Sequence, residues 1–235
     1  DIIGEFAIYM SMFGVLKLMS SGGVSGTLVH LHHLSKDLFS KILWRGGVVA
    51  SLVSVLIVLS LMGCGSEFLS LELILTLCLF PLLSISALFR VLLDRNESLI
   101  EYNVAKIIGG IVNLLVTIWL LGFNLSLSSL VIGLLSQELL IGVVIIYRGI
   151  IEMKKLNSTT GESDFTWNKG LNNLLSTGIN YVGREVDIYA FKLFYNIEIL
   201  GSYFVLKSLV AKPMTVISSV LTSVGAHRIR KLTVI

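Results

Sequence analysis

Apolar residues occupy long blocks of this chain, and short polar connections separate the blocks. Seven blocks are long enough for membrane-spanning helices, which need about 17 to 25 residues each, and the last two are the least apolar. They cover residues 6–29, 48–62, 69–92, 104–121, 125–147, 170–195 and 200–224, with an alternative start near residue 39 for the second. The predicted fold class is therefore all-α, a polytopic transmembrane helix bundle with about seven spans.

Composition favours a bilayer over a single large soluble core. Of the 235 residues, 54% are hydrophobic and 14% charged, whereas a soluble domain has about 25% charged residues. The net charge of +3 is too small to predict a nucleic-acid partner. Cys64 and Cys78 do not have C-x-x-C spacing, so we interpret both as small hydrophobic residues.

Lys and Arg in the connections predict the orientation, because they are retained on the cytoplasmic side during insertion. The connections after the first, third and fifth predicted helices carry them, whereas residues 63–71 and 122–129 carry none. The first helix therefore begins on the periplasmic side of the membrane and ends on the cytoplasmic side. We therefore expect a truncated chain that lacks an odd number of preceding spans, one in the simplest case, and that also lacks later spans.

One segment, residues 155–164 (KLNSTTGESD), has the composition of a linker. It separates five apolar helices from the two more polar ones. We therefore predict the helices of a first lobe in residues 1–154, a cytoplasmic connection in 155–169, and the first two helices of a second lobe in 170–235.

The sixth predicted helix contains the densest set of polar groups. Spacings of three and four residues place them on one helical face, which should contact protein or water rather than lipid. Arg184 and Asp187 can pair, leaving the guanidinium able to bind an oxyanion, and a purely structural ion pair is equally consistent. The stripe consists of Asn173, Ser176, Asn180, Arg184 and Asp187.

Lysines also occur inside predicted spans, where an ionisable group costs about 2.5 to 3.5 kcal/mol. Lys17 indicates an anion-binding cavity, although snorkelling or pairing beside a closely packed helix is an alternative. Lys207 and Lys212 precede Pro213, which predicts a kink or break of the kind found at transport sites.

Other polar residues have two interpretations each. Glu138 and Gln137 suit counter-charges for the lysines or a proton relay, and equally hydrogen bonds between helices. For Asn113 the hydrogen bond is favoured. Arg90 and Asp94 lie at the predicted cytoplasmic end of the third helix, which favours a solvated end or contact with lipid head groups.

The sequence gives no support for a metal or cofactor. The histidines at positions 30, 32 and 33 lack the spacing of structural zinc sites. There is no Walker-type loop and no G-x-S-x-G elbow, which argues against ATP hydrolysis and serine hydrolase chemistry.

Three stretches together resemble a known family. Residues 4–29 match at Gly4, Phe6 and Tyr9, residues 83–124 match two helices and the basic loop between them, and residues 184–221 match around Asp187 and the turn at 200–203. Their order and spacing are similar to those of the O-antigen and capsular polysaccharide flippases, within the multidrug, oligosaccharidyl-lipid and polysaccharide exporter superfamily.

The resemblance implies two helix lobes around a central cavity, with about a dozen spans in parallel halves. It implies alternating-access transport of undecaprenyl-diphosphate-linked oligosaccharide repeat units across the bacterial inner membrane, without a covalent step. Expected partners are this lipid-linked substrate, membrane lipids and other polysaccharide assembly proteins. Lys17, Arg184, Lys207 and Lys212 would bind the diphosphate, Asp187 and Glu138 would serve coupling or as counter-charges, and Asn173, Ser176 and Asn180 would line the cavity.

Three alternatives remain open. A multidrug exporter of the same superfamily should have a more acidic and apolar cavity. A membrane-embedded polysaccharide polymerase or glycosyltransferase should have a large periplasmic loop or a catalytic domain. The chain could also be an inactive remnant of a disrupted gene.

Overall fold

The computed structural model describes residues 2–20, 28, 34–63, 71–95, 100–123, 126–156 and 167–211. Within these ranges the chain forms seven long helices and no strand, which confirms the predicted all-α class. Residues 197–211 form the seventh helix, α7. The other six are α1 Ile2–Ser20, α2 Lys36–Gly63, α3 Leu71–Arg95, α4 Ile100–Leu121, α5 Ser126–Lys154 and α6 Trp167–Phe194.

Four helices in the described ranges are long and apolar enough to cross a membrane. They correspond to α1, α3, α4 and α5, so the protein is a helical membrane protein. The other predicted spans correspond to α2, α6 and α7, which are helical but are not among these four. The four segments are Ile2–Ser20, Glu72–Asp94, Glu101–Leu121 and Leu127–Lys154.

Two helices extend beyond their main predicted boundaries. The helix α2 begins at Lys36, close to the alternative start near residue 39 rather than at Val48, and α5 continues to Lys154 rather than ending near Tyr147. At the start of α2, the Ser35 hydroxyl accepts a hydrogen bond from the Leu38 backbone N–H at 3.3 Å, as expected of a helix N-cap. Lys and Arg made both segments look like loops, but each continues its helix as an amphipathic extension.

By its packing, the chain divides into two compact units. Unit 1 comprises Asp1–Ile8 and Asp187–Ile235, and unit 2 comprises Tyr9–Val186. The predicted connection between lobes, 155–169, falls mostly on residues outside the described ranges, so the lobe boundary stays a prediction.

In unit 2, α3 packs against α2 and α5, and α5 packs against α4. Phe39 from α2 meets Phe89 from α3 edge to face, with ring centroids 5.7 Å apart. Between α4 and α5, a side chain at Gly133 would overlap Thr117 and Asn113. The absence of a side chain there lets the two helices approach closely, as small residues do in membrane bundles.

Unit 1 has its own small core, in which Ala7, Ile188 and Leu200 are buried. The start of α1 lies directly against α7, since a Cβ at Gly201 would be 3.1 Å from the backbone nitrogen of Gly4. Burial of these apolar groups holds α7 beside the end of α6.

Candidate functional site

An ion pair joins α1 to α5 in unit 2. The Lys17 ammonium lies 2.6 Å from the Glu138 carboxylate, and the two side chains are 49% and 10% exposed. Glu138 is therefore the counter-charge of Lys17. The pair lowers the cost of holding either charge among apolar helices.

This ion pair forms part of the wall of a cavity of about 370 Å³ between α1, α3, α4 and α5. The volume falls within the range of about 300–1,000 Å³ that is common for ligand pockets. Lys17, Arg90 and Lys106 contribute positive charge to the lining, and Asp94 and Glu138 contribute negative charge. The lining therefore has one more cation than carboxylate.

A buried aromatic ring holds two of these cations. Tyr102 is 8% exposed, and its ring centroid lies 4.5 Å from the Arg90 guanidinium carbon and 5.4 Å from the Lys106 ammonium. Both distances suit cation–π attraction. Arg90 also faces Asp94, at 3.7 Å between Nε and Oδ2, which is longer than a hydrogen bond.

The residues that line the cavity lie mainly toward one end of the helices. They come from the end of α1, the middle and second half of α3, the start of α4, and the middle and second half of α5. These helix ends adjoin connections that contain Lys and Arg. Under the predicted orientation, the cavity therefore faces the cytoplasm.

Hydrogen bonds between helices join the middle and the opposite end of unit 2. The Asn113 amide donates to the Gln137 side-chain oxygen at 2.9 Å, which confirms the interhelical role favoured for Asn113. Towards the opposite end, the Ser128 hydroxyl donates to the Glu72 carboxylate, which links α5 to α3. Polar contacts of this kind fix helix positions inside a bundle.

Unit 1 contains a second charged group. The Lys207 ammonium donates to Asp187 at 2.9 Å, and the Tyr203 hydroxyl donates to the other carboxylate oxygen. The Tyr203 ring stacks on Phe191 at 4.2 Å. Sequence spacing suggested Arg184 as a partner for Asp187, whereas the partners shown here come from α7, which returns beside α6.

The remaining polar residues of α6 differ in exposure. Asn173 is half-buried, whereas Ser176, Asn180 and Arg184 are exposed within unit 2. Beside them, the Tyr181 hydroxyl donates to the Ser11 carbonyl on α1 at 2.7 Å.

A comparison with protein families matches residues 3–227 to polysaccharide biosynthesis proteins. The chain belongs to this family. Both ion pairs and the whole cavity lining fall inside the matched residues. The comparisons with curated proteins and with solved structures gave no match. The family establishes a role in polysaccharide biosynthesis, and the helices place that role in a membrane.

In this polysaccharide biosynthesis protein, the structure pairs Lys17 with Glu138 and Lys207 with Asp187. Their roles in substrate binding and coupling stay predictions. Lys212 lies outside the described residues.

Sequence reasoning did not assign Arg90, Tyr102 and Lys106 to a binding site. A signal was present, because Arg90 and Asp94, and then Tyr102 and Lys106, are four apart on successive helices. Each spacing puts both residues on one helical face. In the structure, the Arg90 guanidinium and the Lys106 ammonium both lie over the Tyr102 ring.

Proposed function

We propose that this polysaccharide biosynthesis protein is a flippase of the bacterial inner membrane. Its substrates are undecaprenyl-diphosphate-linked oligosaccharide repeat units, which it moves from the cytoplasmic to the periplasmic leaflet for O-antigen or capsule assembly. The family match and the apolar helices support a membrane step in polysaccharide synthesis. The protein makes and breaks no covalent bond in its substrate.

The observation that carries the proposal is the Lys17–Glu138 ion pair beside a cavity in the spanning helices. A diphosphate that crosses the low-dielectric core needs cations to replace its water. The Lys17 side chain is half exposed, so a phosphate oxygen can replace the carboxylate as its partner. A purely structural role for Lys17 does not explain why Lys17 lines the same cavity as Arg90 and Lys106.

The Lys207–Asp187 pair in unit 1 supports the same chemistry. Its carboxylate can accept a proton or bind a cation when Lys207 engages the substrate, which gives one means of coupling transport to an ion gradient. Arg184 and Lys212 supply further positive charge in our proposal. Other polysaccharide assembly proteins and membrane lipids are the proposed partners, with no nucleic acid.

Complementation tests this function. The full-length protein, expressed in a bacterial strain that lacks its polysaccharide flippase, should restore surface polysaccharide. The variants Lys17→Gln and Arg184→Ala should each reduce it at least about tenfold, since a charge-assisted hydrogen bond is worth about 1.5–3 kcal/mol. Surface polysaccharide is measured by gel staining at equal membrane expression.

The matched control is Lys155→Gln, which removes a cation that directly follows α5, pairs with Glu152 in the last turn of that helix and is 65% exposed. This variant should restore polysaccharide as well as the unchanged protein does. Failure of the unchanged protein in strains with several different repeat units, together with export of cationic dyes, would instead favour a multidrug exporter.

A further inference from the structure

The Arg90–Tyr102–Lys106 cluster forms a part of the cavity wall that does not include the Lys17–Glu138 pair. Its two cations come from different helices, α3 and α4, and both lie over the same buried ring. Cation–π attraction fixes the position of a cation without using its hydrogen-bond donors. The ring therefore presents two cations with donors still available to a ligand.

The ion pairing around this cluster is incomplete. Arg90 lies 3.7 Å from Asp94, beyond hydrogen-bond distance, and their side chains are 46% and 34% exposed. Lys106 is exposed. In the described part of the chain, neither cation lies within hydrogen-bond distance of a carboxylate. Both cations can therefore donate hydrogen bonds to an anion with several acceptor oxygens.

We propose that Arg90 and Lys106, held in place by Tyr102, bind a phosphate or diphosphate group at the mouth of the cavity that faces the cytoplasm. A planar guanidinium can contact two phosphate oxygens at once, and an ammonium adds a third contact. The site is distinct from Lys17, which lies on α1 and pairs with Glu138.

The ligand class follows from the surroundings of the site. A cavity between spanning helices with a charged mouth admits a phosphate that is anchored to a lipid, with the phosphate held at the rim. The identification of this ligand as a lipid-linked diphosphate rests on the proposed function, whereas phosphate binding at the site does not. Arg90 and Lys106 then bind the diphosphate in the same cavity that Lys17 lines.

The test is titration calorimetry on the full-length protein in detergent, with inorganic pyrophosphate and undecaprenyl diphosphate as probes. Both probes should bind, and Arg90→Gln or Lys106→Gln should each raise the Kd at least about tenfold. Lys41→Gln is the matched control, because it removes an exposed cation of α2 outside the cavity, and its Kd should equal that of the unchanged protein. An unchanged Kd in both cavity variants overturns the proposal.

Competition with phosphatidylglycerol tests whether the ligand is a lipid-linked diphosphate or the head group of an ordinary membrane phospholipid. It should not displace pyrophosphate, because its single phosphodiester has fewer acceptor oxygens and less charge. Displacement by phosphatidylglycerol as effective as that by undecaprenyl diphosphate would overturn the proposal in favour of a general head-group site.

A second measurement does not depend on the folding of the charge variants. Ala87 lines the cavity, so Ala87→Cys, in a protein whose Cys64 and Cys78 are replaced by Ser, should react with N-ethylmaleimide. Pyrophosphate should slow that reaction, and an unchanged rate at saturating pyrophosphate contradicts the site.

The Kd measurements and the complementation assay together distinguish the anion-site proposal from the flippase proposal. If the unchanged protein restores surface polysaccharide but neither cavity variant alters the Kd, this site is wrong and the flippase function stands. If pyrophosphate binding depends on Arg90 but no strain is complemented, the anion site stands and the flippase function is wrong.

Discussion

Lys17 and Glu138 lie 121 positions apart in sequence, and they meet at 2.6 Å. The two partners differ in exposure, since the carboxylate is buried and the ammonium is half exposed at the cavity. Loss of one partner therefore has a different consequence from loss of the other. A buried carboxylate without its cation carries the larger penalty.

At this scale we predict unequal effects of two substitutions. Lys17→Met should destabilise the protein by about 1–3 kcal/mol, because it leaves the buried Glu138 carboxylate unpaired. Glu138→Gln should lower the free energy of unfolding by a smaller amount, since an amide oxygen still accepts a hydrogen bond from Lys17. Thermal unfolding of the detergent-solubilised protein measures both.

The double variant Lys17→Met/Glu138→Gln tests whether the two side chains interact energetically. It should be less destabilised than the sum of the two single variants, because the two groups interact directly. Strict additivity would contradict the ion pair.

At the scale of elements, the contact between α4 and α5 depends on small residues. Gly133 lies where a side chain would overlap Thr117 and Asn113, whereas a Cβ at Gly110 would meet no described atom within 4 Å. The two glycines share residue type and a helical environment but differ in surroundings. They therefore form a matched pair for a test of packing.

Gly133→Ala should destabilise the bundle by about 1–3 kcal/mol, because the added methyl group overpacks the helix contact. Gly110→Ala should leave stability unchanged or raise it by up to about 1 kcal/mol, since Ala favours the helix. Thermal unfolding in one detergent compares the two. A larger loss from Gly110→Ala would show that the helix contact is placed wrongly.

At the scale of the whole molecule, the predicted orientation determines which compartment the charged cavity faces. The orientation rests on Lys and Arg in the connections, and most residues that line the cavity lie toward the helix ends that adjoin them. Residue labelling from one side of the membrane tests this directly.

In a protein without its native cysteines, Gly122→Cys should react with a membrane-impermeant maleimide in cells whose outer membrane alone is permeabilised. Lys155→Cys should react only after the inner membrane is opened as well. Both positions are exposed, so accessibility within the fold does not limit the reaction. The reverse pattern would place the cavity on the periplasmic side.

The pattern of apolar residues was enough to predict the all-α class and the approximate positions of the helices. Long apolar blocks allow few structures other than membrane helices, because backbone polar groups in lipid must be paired within the segment. It also identified Lys17, Glu138, Asp187 and Lys207 as charges inside those helices, since each is costly there.

Which charges form ion pairs depends on how the helices pack in three dimensions. Glu138 was one of several candidate partners for Lys17. The spacing along α6 suggested Arg184 for Asp187, and the structure shows Lys207 of α7 as a partner. The Arg90–Tyr102–Lys106 part of the cavity wall is built from two helices. On each helix, the spacing of the residues involved shows only that they share a face. Helical periodicity fixes which residues share a face of one helix, but the faces of different helices come together only through packing, which depends on the shapes of side chains distant in sequence.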